Sequence, residues 1–161
     1  MLIINIILII TAITTALIAG LFYGYSCSVN IGLSRLSDAE YIAAMQSINK
    51  AILNPLFFIS FLGTLLLLPL STYLHYAQPI STRFFLLLIA TLIYAFGAFG
   101  VTAFGNVPLN EALSRFNVQS ASIEEIARRR STFERPWNQL HTIRTIASII
   151  SLILVIVACL K

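Results

Sequence analysis

FFLLLIATLIYAFGAFGVTAFGNVPLN, residues 84–110, contains no Asp, Glu, Lys or Arg. Three other stretches are uncharged in the same way: residues 1–34, 51–82 and 145–160. A helix needs about 20 largely apolar residues to cross a hydrocarbon core about 30 Å thick. The three longer stretches meet this length alone, and the shortest meets it if its helix begins near Asn138. The sequence therefore predicts four transmembrane helices, at about residues 3–25, 55–75, 84–104 and 138–160.

The composition supports the same class of protein. Of the 161 residues, 58% are apolar and 10% are charged, whereas soluble domains have roughly 45–50% and 25%. At this length we expect one domain, residues 1–161. We predict an all-α integral membrane protein whose four helices form an up-down-up-down bundle. The net charge of +4 is small, so nucleic acid is not an expected partner.

Basic residues predict the orientation of the chain in the membrane. Loop one (26–54) and loop three (105–137) together hold seven Lys and Arg, whereas the other side has only Arg83 and Lys161. Positively charged loops tend to stay in the cytoplasm. We therefore expect a multi-pass protein of the cell (inner) membrane, with loops one and three cytoplasmic and both termini outside.

Both of these loops contain patterns typical of short amphipathic helices. In loop one, Ser37 and Glu40 have the spacing of a capping box. An apolar stripe follows, formed by Tyr41, Met45, Ile48 and Ile52. We expect this helix to lie on the lipid headgroups. In loop three, Ser122 and Glu125 repeat the capping spacing, so a second short helix is predicted there.

Polar side chains gather at the helix ends on one side of the predicted bundle. They are Tyr23, Tyr25, Ser26 and Asn30 where span one ends, Asn49 and Asn54 before span two, Asn106 and Asn110 after span three, and Trp137, Asn138, His141 and Arg144 at the start of span four. In an up-down-up-down bundle these four ends meet. Because Trp137, His141 and Arg144 lie at i, i+4 and i+7, they share one side of a helix.

Arg144 is predicted to lie inside the hydrocarbon core of the membrane, which is unusual for a charged side chain. The sixteen residues that follow it span only about 24 Å as a helix, so Arg144 should lie about 5 Å inside the hydrocarbon core. Anchoring offers one explanation, since Arg can extend to the headgroups and Trp belongs at the interface. The three amides and the histidine exceed what anchoring needs, and each buried one requires a partner.

Few residues in this chain could ligate a metal. The histidines are His75 and His141, at opposite sides of the membrane, and the cysteines are Cys27 and Cys159, also at opposite sides. No predicted span contains a carboxylate, so neither a metal nor a haem site is expected. The inventory of one imidazole, one guanidinium, amides and aromatic rings suits proton abstraction from a neutral planar substrate.

Five segments of the chain carry a family resemblance. They are GLFYGYS (20–26), MQSIN (45–49), NP (54–55), NVPLN (106–110) and RPWNQLHTIR (135–144). In this order they resemble the anthrone oxygenase family of small membrane proteins. The resemblance implies oxidation of a polyketide anthrone to an anthraquinone by O2, with no metal or organic cofactor.

The resemblance also assigns residues to the site. The family pattern Trp-Asn-x-x-His-x-x-Arg falls on Trp137, Asn138, His141 and Arg144, and Asn-x-Pro-x-Asn falls on Asn106, Pro108 and Asn110. We expect His141 to be the base and Arg144 and Asn138 to hold the resulting anion. The expected substrate-binding residues are Trp137, Asn106, Asn110, Tyr25 and Asn49.

Two functions of different classes therefore remain open. The first is a cofactor-independent oxygenase, whose partners are membrane lipids, a hydrophobic aromatic small molecule and O2. The second is a non-catalytic membrane subunit or lipid-interacting scaffold, which would bind a partner subunit or a second copy of the chain. A small transporter is a weaker third hypothesis, because only Pro69 interrupts a span near its middle.

Overall fold

A computed structural model describes residues 2–76 and 79–161. Within these residues the chain forms five helices: α1 (Leu2–Leu33), α2 (Asp38–Ala51), α3 (Pro55–Leu74), α4 (Thr82–Ser114) and α5 (Ile123–Cys159). All except α2 are long and apolar enough to cross a membrane. The chain is thus a multi-pass helical membrane protein, which confirms the predicted fold class.

The helices start where local sequence signals place them. The Asn54 side chain accepts a hydrogen bond from the backbone N–H of Phe57, at 3.1 Å, and Pro55 occupies the first turn, where its missing N–H costs nothing. Ser37 and Glu40 form the expected capping box at the start of α2. The two hydrogen bonds from Ser37 lower the pKa of Glu40 below its usual value.

Loop three differs from the expectation of a short helix of its own. The capping box of Ser122 and Glu125 does form, but the helix that it begins is α5 itself, with 37 residues. Pro136 lies inside this helix and does not end it. Residues before Pro136 extend α5 beyond the membrane, because 37 residues rise about 55 Å, well over the 30 Å of a hydrocarbon core.

The apolar stripe of helix α2, which we expected to face the lipid headgroups, packs against the protein. Its side chains Tyr41, Ile42 and Met45 are buried against Leu113 of α4 and Trp137 of α5. An amphipathic stripe satisfies either surface, and here the ends of α4 and α5 supply the apolar one.

Two side chains hold α2 in this position. Arg130 of α5 donates to the carbonyl oxygen of Leu36 at 2.8 Å and to Asp38 at 3.0 Å, and it also pairs with Glu134 at 2.7 Å. Gln46 donates to the carbonyl oxygen of Leu113 in the last turn of α4 and to that of Phe116 just after it, both at 2.8 Å. Helix α2 is therefore fastened across the ends of both neighbouring helices.

Both α1 and α4 contain π-helical segments. They are Tyr25–Val29 in α1, and Ile93–Gly100 and Thr102–Asn106 in α4. A π-helical turn holds an additional residue, so it rotates the side chains that follow, and such turns are frequent at functional sites.

Helices α4 and α5 approach each other closely at Gly97. A Cβ atom added there would lie 2.7 Å from the Cβ of Ala147. Close approach of this kind is the usual way for helices to pack in lipid.

Gly97→Ala is expected to destabilise the bundle by roughly 1–3 kcal/mol, because α4 and α5 must separate to admit the methyl group. Gly20→Ala is the matched control, since nothing lies within 4 Å of a Cβ added at that position. Thermal unfolding in detergent should show a lower melting temperature for Gly97→Ala alone. Equal melting of the two variants would contradict the tight contact.

Candidate functional site

The imidazole of His141 lies at the centre of the polar end of the bundle. Its side chain is 1% exposed. Its Nε2 atom is 2.9 Å from the hydroxyl oxygen of Ser26 on α1, and its Nδ1 atom is 3.1 Å from Nε of Arg144 on α5. Both ring nitrogens are therefore hydrogen-bonded within the protein.

These partners determine where the protons are. The Nε–H of Arg144 can only donate, so Nδ1 of His141 must accept. A proton on Nε2 then bonds to the Ser26 oxygen, and the Ser26 hydroxyl donates to the carbonyl oxygen of Phe22 at 3.0 Å. His141 is consequently held as the neutral Nε2–H tautomer, with its lone pair directed at Arg144.

The guanidinium of Arg144 is buried between aromatic rings. Its central carbon lies 4.4 Å from the ring centre of Phe22 and 5.1 Å from that of Trp137, and the residue is 8% exposed. Among the described residues, the only ion pairs are those of Arg130 with Asp38 and Glu134. Arg144 is therefore a buried positive charge without a carboxylate, and its terminal N–H groups can bind an anionic oxygen.

The indole of Trp137 packs against His141 and Arg144, and other aromatic side chains of the protein enclose it. The imidazole of His141 stacks on the indole with ring centres 5.1 Å apart and an interplanar angle of 12°, and Phe133 stacks at 6.2 Å. The indole N–H donates to the Asn110 side-chain oxygen at 2.8 Å. In this arrangement Trp137 orients His141, and its ring is occupied by protein contacts.

Asn106 lies behind the indole and retains an unused acceptor. The residue is 0% exposed, and its Nδ2 donates to the Trp137 carbonyl oxygen at 3.3 Å. Its Oδ1 atom is buried and has no hydrogen-bond partner in the described part of the chain. A buried amide oxygen without a partner is costly, and it favours a ligand or water that can donate to it.

Tyr25 lies on the side of the site that faces α2, and Asn49 belongs to α2 itself. The Tyr25 ring centre is 5.1 Å from that of His141, and its hydroxyl donates to Met45 Sδ at 3.1 Å. Sulfur is a weak acceptor, so this hydroxyl can exchange partners at little cost. Asn49 follows Met45 by one turn of α2, and its buried Nδ2 has no partner within residues 2–76 and 79–161.

Asn138 lies on a different face of α5 from His141. It lines a shallow polar groove of about 670 Å³ together with Glu134, Gln139 and Thr142. Its Oδ1 is buried without a partner among the described residues. The structure therefore brings together six of the eight predicted site residues, His141, Arg144, Trp137, Asn106, Asn110 and Tyr25, and it places Asn138 and Asn49 at the margins.

Two further residues contribute to the site, and neither was among the eight predicted site residues. Ser26 belongs to the polar group at the end of span one, but no role in the site was predicted for it. Phe22 provides both a carbonyl oxygen for Ser26 and a ring for Arg144. Nothing in the sequence distinguishes this phenylalanine, because one more apolar residue in an apolar span is unexceptional.

These features describe a membrane-embedded polar site within an aromatic shell. Among residues 2–76 and 79–161, no group of three His, Cys, Asp or Glu side chains could hold a metal ion. The family model described as anthrone oxygenase matches residues 47–154, which is more than half of the chain. The chain therefore belongs to the anthrone oxygenase family, as the resemblance indicated. No curated protein and no solved structure matches the chain significantly.

Proposed function

We propose that this protein is a cofactor-independent membrane oxygenase of anthrone-like or other planar aromatic ketones. One observation carries the proposal: a buried neutral imidazole, His141, is hydrogen-bonded to a buried guanidinium, Arg144, that has no carboxylate partner among the described residues. The pair supplies a base beside a site for negative charge, and it is buried within an apolar bundle.

The first step removes a benzylic proton. The substrate carbonyl oxygen binds the guanidinium of Arg144, which then releases Nδ1 of His141. The freed lone pair takes the proton, and the Nε2–H bond to Ser26 persists in the protonated ring. The substrate is left as an enolate whose oxygen is stabilised by Arg144.

The second step is direct oxidation by O2. The enolate carbon donates electrons to O2 and forms a new carbon–oxygen bond. The CH2 group becomes a ketone, one oxygen atom stays in the product, and the other leaves as water with both hydrogens. The substrate carbanion is the reductant in this scheme, so the protein's residues need to provide only proton transfer and charge stabilisation.

The remaining residues bind and orient the substrate. The unpaired Oδ1 of Asn106 accepts from a substrate hydroxyl, and the Tyr25 ring packs against the substrate beside His141. Asn110 acts through the indole of Trp137, which it fixes. We assign no substrate contact to Asn138 in this arrangement because it lies on another face of α5.

We further propose the orientation that the basic loops predict. Residues 26–54 and 105–137 lie in the cytoplasm, and both termini lie outside, so the site is at the cytoplasmic ends of the helices. The exposed Arg128 near the start of α5 then contacts anionic headgroups.

A scaffold function is favoured by a separate observation. The bonds of Trp137 with Asn110 and with Asn106 join α4 to α5, and the bond of His141 with Ser26 joins α1 to α5. Polar contacts of this kind can fasten helices in a membrane subunit without any chemistry. The stability of variants separates the two functions.

Oxygen uptake with a simple anthrone tests the proposal directly. We expect purified protein in liposomes to consume O2 faster than the protein-free blank. Under ¹⁸O2, one labelled atom should appear in the new ketone and the other in water. Uptake equal to the blank, or an unlabelled ketone, would contradict the proposal.

A further inference from the structure

The water-facing end of the site is closed by α2. The side chains between water and the site are at most 3% exposed: Tyr41, Ile42, Met45, Leu113 and Phe133. Arg130 and Gln46 hold this layer in place through the carbonyl oxygens of Leu36, Leu113 and Phe116. This layer blocks access from water, and an apolar molecule partitions into the bilayer rather than into water. Entry from the water-facing end is therefore unfavourable.

An apolar groove lies on the membrane side of the same site. It has a volume of about 590 Å³ and is lined mainly by α4: Ala95, Phe96, Phe99, Gly100, Val101, Phe104 and Gly105, with Leu140 from α5. Phe96 is 73% exposed and Phe104 is 86% exposed, so both rings face the hydrocarbon. Planar aromatic molecules pack favourably on such rings.

The inner boundary of the groove is one contact between α4 and α5. A Cβ atom added to Gly105 would lie 2.9 Å from Cδ1 and 3.1 Å from Cδ2 of Leu140. Leu140 therefore occupies the space that a side chain at 105 would fill. Gly105 is followed by Asn106, and Leu140 is followed by His141, so this contact is adjacent to the polar site along both helices.

We propose that the α4–α5 groove is the docking site at which the planar aromatic substrate enters from the bilayer, and that Leu140 is the movable residue between the groove and His141. The inference rests on the proposed function, since it concerns the same substrate. A leucine side chain changes rotamer without backbone movement, and Leu140 contacts Gly105, which has no side chain to interlock with it. The π-helical segments of α4 widen the helix along this stretch.

The single tryptophan of the chain, Trp137, reports when a molecule reaches the site. We would add dibromofluorene, a planar tricyclic molecule whose bromines quench tryptophan at contact, to liposomes that contain the protein, and record the quenching rate. Val101→Phe fills the groove. Ile89→Phe is the matched control, because Ile89 is also on α4 and is 45% exposed but lies outside the groove.

We expect Val101→Phe to slow quenching about tenfold, equivalent to a barrier higher by about 1.4 kcal/mol, with an unchanged final amplitude. Ile89→Phe should match the wild type. Leu140→Ala should quench faster than the wild type, which keeps the test valid if Val101→Phe folds poorly.

Three results would overturn the proposal. They are wild-type rates in Val101→Phe, a slower rate only in Thr142→Phe on the polar groove of α5, and no quenching in any protein. Rapid quenching without oxygen uptake from an anthrone would instead leave the groove as the access route and reject the oxygenase.

Discussion

Replacing His141 with Ala is expected to reduce anthrone-dependent oxygen uptake to the uncatalysed rate. A positioned general base contributes about 10²–10⁴-fold to a rate, and no second imidazole lies at this end of the described chain. The substitution also deprives Ser26 of a donor and Trp137 of a stacked ring. Uptake should be measured in liposomes with the protein-free blank subtracted.

His75→Ala is the matched control for this loss. His75 follows α3 at the opposite end of the bundle, and its Nδ1 lies 2.8 Å from the carbonyl oxygen of Ser71. This variant should retain wild-type uptake. If His141→Ala keeps its turnover, the base assignment is wrong. If the variant loses both its fold and its turnover, the result supports the scaffold function.

Arg144→Met is expected to reduce turnover by about 10²–10³-fold, the usual effect of removing one oxyanion donor. We expect this substitution not to lower the free energy of unfolding. A buried charge without a counter-ion costs several kcal/mol, whereas the lost hydrogen bond and ring contacts of Arg144 are each worth about 1–2 kcal/mol. The melting temperature should therefore stay unchanged or rise as activity disappears.

Arg144→Lys refines this test. Lysine keeps the charge, but its compact ammonium cannot hold both Nδ1 of His141 and a substrate oxygen in one planar fork. We expect intermediate turnover with a raised KM for the aromatic ketone. A lower melting temperature for Arg144→Met with full turnover would show that Arg144 is structural.

Local rules account for the parts of the fold that the sequence predicted. Asn54 and Pro55 set the start of α3, and the pair Ser37 and Glu40 sets the start of α2, because a cap depends only on residues within one turn. The surface that covers α2 depends on the distant residues Leu113 and Phe133. An amphipathic stripe by itself does not distinguish a lipid surface from a protein one.

The candidate site was predictable to the extent that helical spacing determines it. Trp137, His141 and Arg144 lie on one side of α5 because i, i+4 and i+7 are neighbours. Asn138 follows Trp137 by one residue and precedes Arg144 by six, which leaves it about 100° from Trp137 and about 120° from Arg144 around the helix, at about 100° per residue. That offset is enough to turn its side chain toward another groove. No spacing rule could show that Nδ1 of His141 is already occupied by Arg144.

The order of the helices along the chain has a consequence for biosynthesis. Helix α5 carries Trp137, His141 and Arg144, and it is synthesised after α1, α3 and α4. A guanidinium at depth in a lone span costs about 2.5–3.5 kcal/mol or more to insert. When α5 reaches the membrane, the ring of Phe22 is already present to receive Arg144, and the hydroxyl of Ser26 is already present for His141. The first helices thus act as an assembly template for the buried charge, which enters the bilayer only once its neighbours exist.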